Sequence, residues 1–116
     1  MTDAVAPVTI LKEQASLLGQ RTQNIVEARV TLAKSSLDDE VPFRYYFLLF
    51  APALDYRYHL FTVSRGLEFY PVSVKFEDLT YQVADEDEFM RYLADIFSSE
   101  RTKAIISSLL AQSKAA

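Results

Sequence analysis

Between Phe43 and Phe76 the chain carries eleven of its fifteen aromatic residues, several of them on alternating positions. That spacing suits extended backbone, whose side chains point to opposite faces in turn. One run, Phe43-Arg44-Tyr45-Tyr46-Phe47-Leu48-Leu49-Phe50, is apolar or aromatic on both parities. A strand written this way expects cover on both faces of its sheet, from the rest of the chain or from a partner.

The remaining strands are read around it. Val26, Ala28, Val30 and Leu32 alternate with Glu27, Arg29 and Thr31, giving a first strand with one wet face. Residues 34–42 are polar, acidic and closed by Pro42, so they read as a loop. The second strand spans about 43–50, and Pro52 to Asp55 make a short connection to a third over about 56–64. Strict alternation there puts Tyr56, Tyr58 and Leu60 opposite Arg57, His59, Phe61 and Val63. Arg65-Gly66 is read as a tight hairpin, with Gly66 supplying a positive φ. A fourth strand over about 67–76 contains Pro71, which suits an edge or a bulge. Leu79 to Ala84 can add a fifth.

Helices flank these strands. Pro7 opens one at its first turn, Val8, Leu11, Ala15 and Leu18 follow at helical spacing, and Gly19 stands where a C-terminal cap belongs. Asp85 and Glu88 have the spacing of a capping box, ahead of the stripe Phe89, Tyr92, Leu93, Ile96 and Phe97. Ser98-Ser99 can cap a further helix carrying Ile105, Ile106, Leu109 and Leu110, or the whole can be one kinked helix. The fold class is therefore α+β. It has an N-terminal helix, an antiparallel meander sheet of four or five strands, and a C-terminal helix or helix pair packed on the sheet. Residues 1–6 are read as a flexible tail, 7–113 as a single domain and 114–116 as a frayed end.

Composition narrows the function. With 116 residues, half of them apolar, one core of ordinary size is expected. The absence of cysteine excludes disulfides, thiolate metal sites and cysteine nucleophiles. The net charge of −4, with basic residues scattered, argues against nucleic acid as partner. No apolar run approaches the roughly twenty residues of a membrane span, and the start lacks the pattern of a signal peptide, so a cytoplasmic protein is expected.

No motif names a reaction. His59 is the only histidine, and Asp55 and Ser64 near it invite a triad. There is no Gly-x-Ser-x-Gly, however, and two glycines leave nothing for phosphate loops or the dinucleotide fingerprint. A sheet-surface histidine bonded to a neighbour is the simpler account. The acids Glu77, Asp78 and Asp85 to Glu88 lack the alternation of a calcium loop and suit a solvated helix start; Asp38-Asp39-Glu40 suits a solvated loop. Stacking platforms for single-stranded RNA also use strand aromatics, but their basic, glycine and aromatic signature is absent. No cofactor or metal is expected.

If the helices pack together on one face, the other is left open with tyrosines, Arg57 and His59. The sequence then favours a non-catalytic protein-binding, adaptor or chaperone-like module. It would act through Tyr46, Arg57, Tyr58 and His59 on a partner protein or on a second copy in a homodimer. The alternative is a small-molecule-binding protein or enzyme with its pocket against the aromatic sheet. In architecture alone, the element order is similar to small bacterial helper proteins such as secretion chaperones and immunity proteins.

Overall fold

The computed structural model describes residues 5–33 and 43–116; the expected tail residues 1–4 and loop 34–42 lie outside them. The chain runs α1 (Pro7–Arg21), β1 (Glu27–Ala33), β2 (Phe43–Ala51), a 3-10 turn (Pro52–Leu54), β3 (Tyr56–Arg65), β4 (Val72–Phe76), β5 (Leu79–Val83), α2 (Glu86–Ser98) and α3 (Glu100–Ala115). The five strands form one antiparallel sheet in the order β1-β2-β3-β4-β5, a meander in which every strand pairs with its neighbour in sequence. The α+β class and the helices on the sheet agree with the sequence reading.

Helix α1 opens on Pro7 but runs past Gly19. Its end is a Schellman motif: the Asn24 amide donates to the Gly19 carbonyl (2.8 Å) and the Gln23 amide to Gln20 (3.2 Å), with Gln23 left-handed at φ 56°. Gly19 is therefore not the cap but a residue of the last turn. What it provides is room, since a Cβ there would come within 3.2 Å of Asn24 Oδ1. Just beyond, the Thr22 hydroxyl donates to the Val26 carbonyl (2.7 Å) and accepts from the Val26 amide (3.2 Å), which ties the helix to the start of β1.

Two helices, not one kinked helix, close the chain. Asp85 caps α2 by accepting from the Glu88 amide (2.9 Å), and Ser99 caps α3 by accepting from Thr102 (3.2 Å). The acids of the first turn of α2 suit its positive end, and Glu86 also accepts from the Val5 amide (2.7 Å).

The hairpin at Arg65-Gly66 is not tight. Neither glycine has a positive φ, and residues 66–71 form a longer connection with a cis peptide between Tyr70 and Pro71. Arg65 holds that connection, donating to the carbonyls of Gly66 (3.0 Å) and Leu67 (3.2 Å) while its guanidinium lies 4.2 Å over the Phe43 ring. Consequently β4 begins only at Val72, and Pro71 stays outside the ladder of what is an interior strand. The tight return comes instead at Glu77-Asp78, with Glu77 left-handed at φ 57°.

All the buried side chains of the sheet lie on one face. Tyr45, Phe47, Leu49 and Ala51 of β2 share it with Phe61 and Val63 of β3, Val72 and Val74 of β4, and Val83 of β5. They form one core with Ile10 and Leu11 of α1, Phe89, Leu93 and Ile96 of α2, and Leu109 of α3. Phe47 and Phe61 stack at 4.8 Å, and Phe97 meets both edge-on. Burying each such ring contributes about 1.5–3 kcal/mol. Beside the core, Tyr70 packs on Phe89 and donates to the Val5 carbonyl (3.0 Å). Burial, then Glu86 and Asp85, pushes its pKa up to about 12.

Candidate functional site: the open face of the sheet

The opposite face is built by the other parity of the same strands. Reading across the ladder, one row is Glu27, Phe50 and Arg57, and the next is Arg29, Leu48 and His59. A third is Thr31, Tyr46, Thr62, Lys75 and Thr80, and a fourth Ala33, Arg44, Ser64, Ser73 and Gln82. None of these side chains belongs to the core or packs against it. No helix among the described residues covers them. The double apolar parity of β2 thus meets helices on one side only.

Tyr46, Leu48 and Phe50 run along β2, one strand in from the β1 edge of this face, half-buried. Their shelter comes from neighbouring strands. The Arg29 guanidinium lies 4.2 Å from the Phe50 ring centre and that of Arg57 5.6 Å from it. Such contacts exploit the negative face of the ring and are worth about 0.5–1 kcal/mol at exposed sites. The His59 ring leans on Tyr46 at 4.8 Å and 59°. Its Nε2 sits 2.7 Å from the Thr62 hydroxyl and 3.2 Å from the Phe61 carbonyl. A carbonyl only accepts, so that bond requires a proton on Nε2. His59 is thereby engaged by its own strand and makes no bond to Asp55 or Ser64. Asp55 instead ends the 3-10 turn in a left-handed conformation.

Of the four residues expected on the open face, three are there: Tyr46, Arg57 and His59. Tyr58 is not. The register of β2 with β3 shifts between Phe47 and Leu48, so Leu60 is an extra residue, buried, next to Phe61. A bulge of this kind resets the alternation, and it turns Tyr56 and Tyr58 to the helix side. There the Tyr58 hydroxyl accepts from Arg101 of α3 (3.3 Å). Tyr58 lines a cavity of about 670 Å³ with Tyr56, Arg101, Ile105 and Ser108. Alternation already separates Tyr58 from Arg57 and His59; what it missed is that Phe61 and Val63 lie on the Tyr58 side, because two adjacent apolar residues, Leu60 and Phe61, both enter the core.

The open face also holds residues that aromatic content alone did not single out. Arg29, Phe50 and Lys75 share it with Tyr46 and His59; the wet parity of β1 was the signal for Arg29. A groove of about 810 Å³ crosses the β2–β4 half, lined by Tyr46, His59, Thr62, Ser73 and Lys75; it reaches Glu77 and Asp78, and also Tyr58 and Arg101, so Tyr58 still borders it. Among the described residues no helix is long and apolar enough to cross a membrane.

Comparison with protein-family models, curated proteins and solved structures finds no match for the chain.

Proposed function

We propose that this is a non-catalytic protein-binding module that acts through the uncovered face of its sheet. The observation that carries the reading is the one-sided packing. A five-stranded sheet buries one face under three helices and leaves Tyr46, Leu48 and Phe50 half-buried on the other. A face holding aromatic and arginine side chains fits the composition of binding hot spots, which combine large area with polar handles.

The test compares the tagged protein with a Leu48→Ser/Phe50→Ser variant in pull-downs from native cell extract. Leu79→Ser serves as control, because Leu79 is an exposed apolar residue of β5 on the other side of the sheet. A near-stoichiometric protein retained by wild type and the control but lost from the double variant is the expected result. Equal retention by all three overturns the reading.

A second reading has one specific observation in its favour, the hydroxyl- and cation-lined groove that contains His59. In that reading a small polar ligand lies against Thr62, Ser73 and Lys75. Native mass spectrometry that shows a retained small molecule and no protein would support it.

A further inference from the structure

We propose that the partner docks an acidic segment on the open face, its apolar side chains along Tyr46, Leu48 and Phe50 and its carboxylates on Arg29, Arg57 and Lys75. This rests on the protein-binding reading above and adds the chemistry of the partner.

Charge is the reason. The chain as a whole is acidic, at −4. Yet the strand positions of this face carry Arg29, Arg57 and Lys75 against the carboxylate of Glu27, with Glu77 and Asp78 at the β4–β5 end of the groove. Among the described residues Arg29, Arg57 and Lys75 have no ion-pair partner. Two of these cations converge. The Arg29 and Arg57 guanidinium carbons both lie against the Phe50 ring, which puts them within about 10 Å of each other. Aromatic contact fixes the two forks in place, so less side-chain freedom is lost when a carboxylate binds.

The same charges decide against the other occupants. Two copies meeting face to face about a twofold axis would set these cations against one another. A nucleic acid strand carries a charge at every nucleotide, more than three cations on a protein of net charge −4 can neutralise.

Five strands about 4.8 Å apart span roughly 19 Å, the length of about six extended residues. The probes are therefore labelled eight-residue peptides of alternating Glu and Leu, Gln and Leu, and Lys and Leu, with an eight-nucleotide oligouridine, read by fluorescence anisotropy. The Glu peptide is expected to bind tightest and to weaken as salt rises from about 50 to 200 mM. Arg29→Gln/Arg57→Gln is expected to weaken it at least tenfold and Glu27→Gln to strengthen it, with unchanged far-ultraviolet circular dichroism. Arg29 and Arg57 are exposed and Glu27 is outside the core, so neither variant disturbs the packed side. If the Gln peptide binds as tightly as the Glu peptide, the acidic inference is overturned and the protein-binding reading stands. If no peptide binds, or oligouridine binds tightest, both are overturned. A dimer in sedimentation that Arg29→Gln/Arg57→Gln strengthens shows that this face meets a second copy, and it overturns the acidic partner.

Discussion

Strand β2 gives its two sides nearly the same residues, yet the sides behave differently. Tyr45, Phe47 and Leu49 disappear under helices, while Tyr46, Leu48 and Phe50 stop at half burial under arginine and histidine side chains from adjacent strands. Apolar content alone therefore does not determine which face becomes core. The neighbours do. On the covered side β3 and β4 add Phe61, Val63, Val72 and Val74, and on the open side they add His59, Thr62, Ser73 and Lys75. One face is hydrophobic across every central strand and the other only along β2.

Adjacent positions on β4 give the sharpest way to break this contrast. Val74→Asp places an unpaired carboxylate in the core and is expected to leave the protein unfolded, whereas Ser73→Asp, one residue away, should fold normally. Circular dichroism on both variants decides it, and a folded Val74→Asp would refute the assignment of faces. Phe47→Ala should cost about 3–5 kcal/mol in chemical denaturation, because it empties a site stacked on Phe61 and edged by Phe97. Phe50→Ala should cost less, about 1–2 kcal/mol, from the two arginine contacts and the partial burial of the ring. Equal costs would mean that something covers the open face.

The smallest effect concerns Tyr70, at the rim of the covered side. Its folded pKa lies above the ordinary value of 10.0, at about 12, so the folded state holds this proton more tightly than the unfolded chain does. That contribution is complete below about pH 10 and is lost as pH rises toward 12. Burial, first of all, raises Tyr92 in the same direction, as do Tyr81 and Asp95. Stability measured by denaturation should fall over this window, and less steeply in Tyr70→Phe, with Tyr92 supplying the remainder. An unchanged slope would show that Tyr70 is not shielded as described.

The elements were legible from local chemistry wherever one residue governs one outcome. Pro7 at a helix start, Asp85 and Ser99 as caps, and the alternation of Val26 to Leu32 each lead to the observed structure. Glycine was the poorer guide. Both glycines have negative φ, while Gln23, Asn24, Asp55 and Glu77 take the left-handed conformations. Asn24 and Asp55 are residue types that tolerate this conformation, but Gln23 and Glu77 carry no such local preference to announce their turns. The same is true of the Leu60 bulge. Three of the four proposed binding residues share a face because alternation holds along β2 and the first half of β3. The fourth, Tyr58, falls opposite Arg57 and His59 by that same alternation, and the insertion at Leu60 decides only that its side is the covered one.

The meander has a further consequence, for the order in which the molecule can be completed. Strand pairs form between neighbours in sequence, so the sheet can assemble as successive hairpins while synthesis proceeds. Its lid cannot. Helices α2 and α3 begin only at Glu86, and the contact that joins Val5 to Glu86 spans 81 residues. Until those helices emerge, Phe61, Val72 and Val74 face water beside an already exposed opposite side. A nascent chain halted near Val83 would therefore be a sheet with one face open and the other covered by α1 alone, the state of this protein most in need of a chaperone.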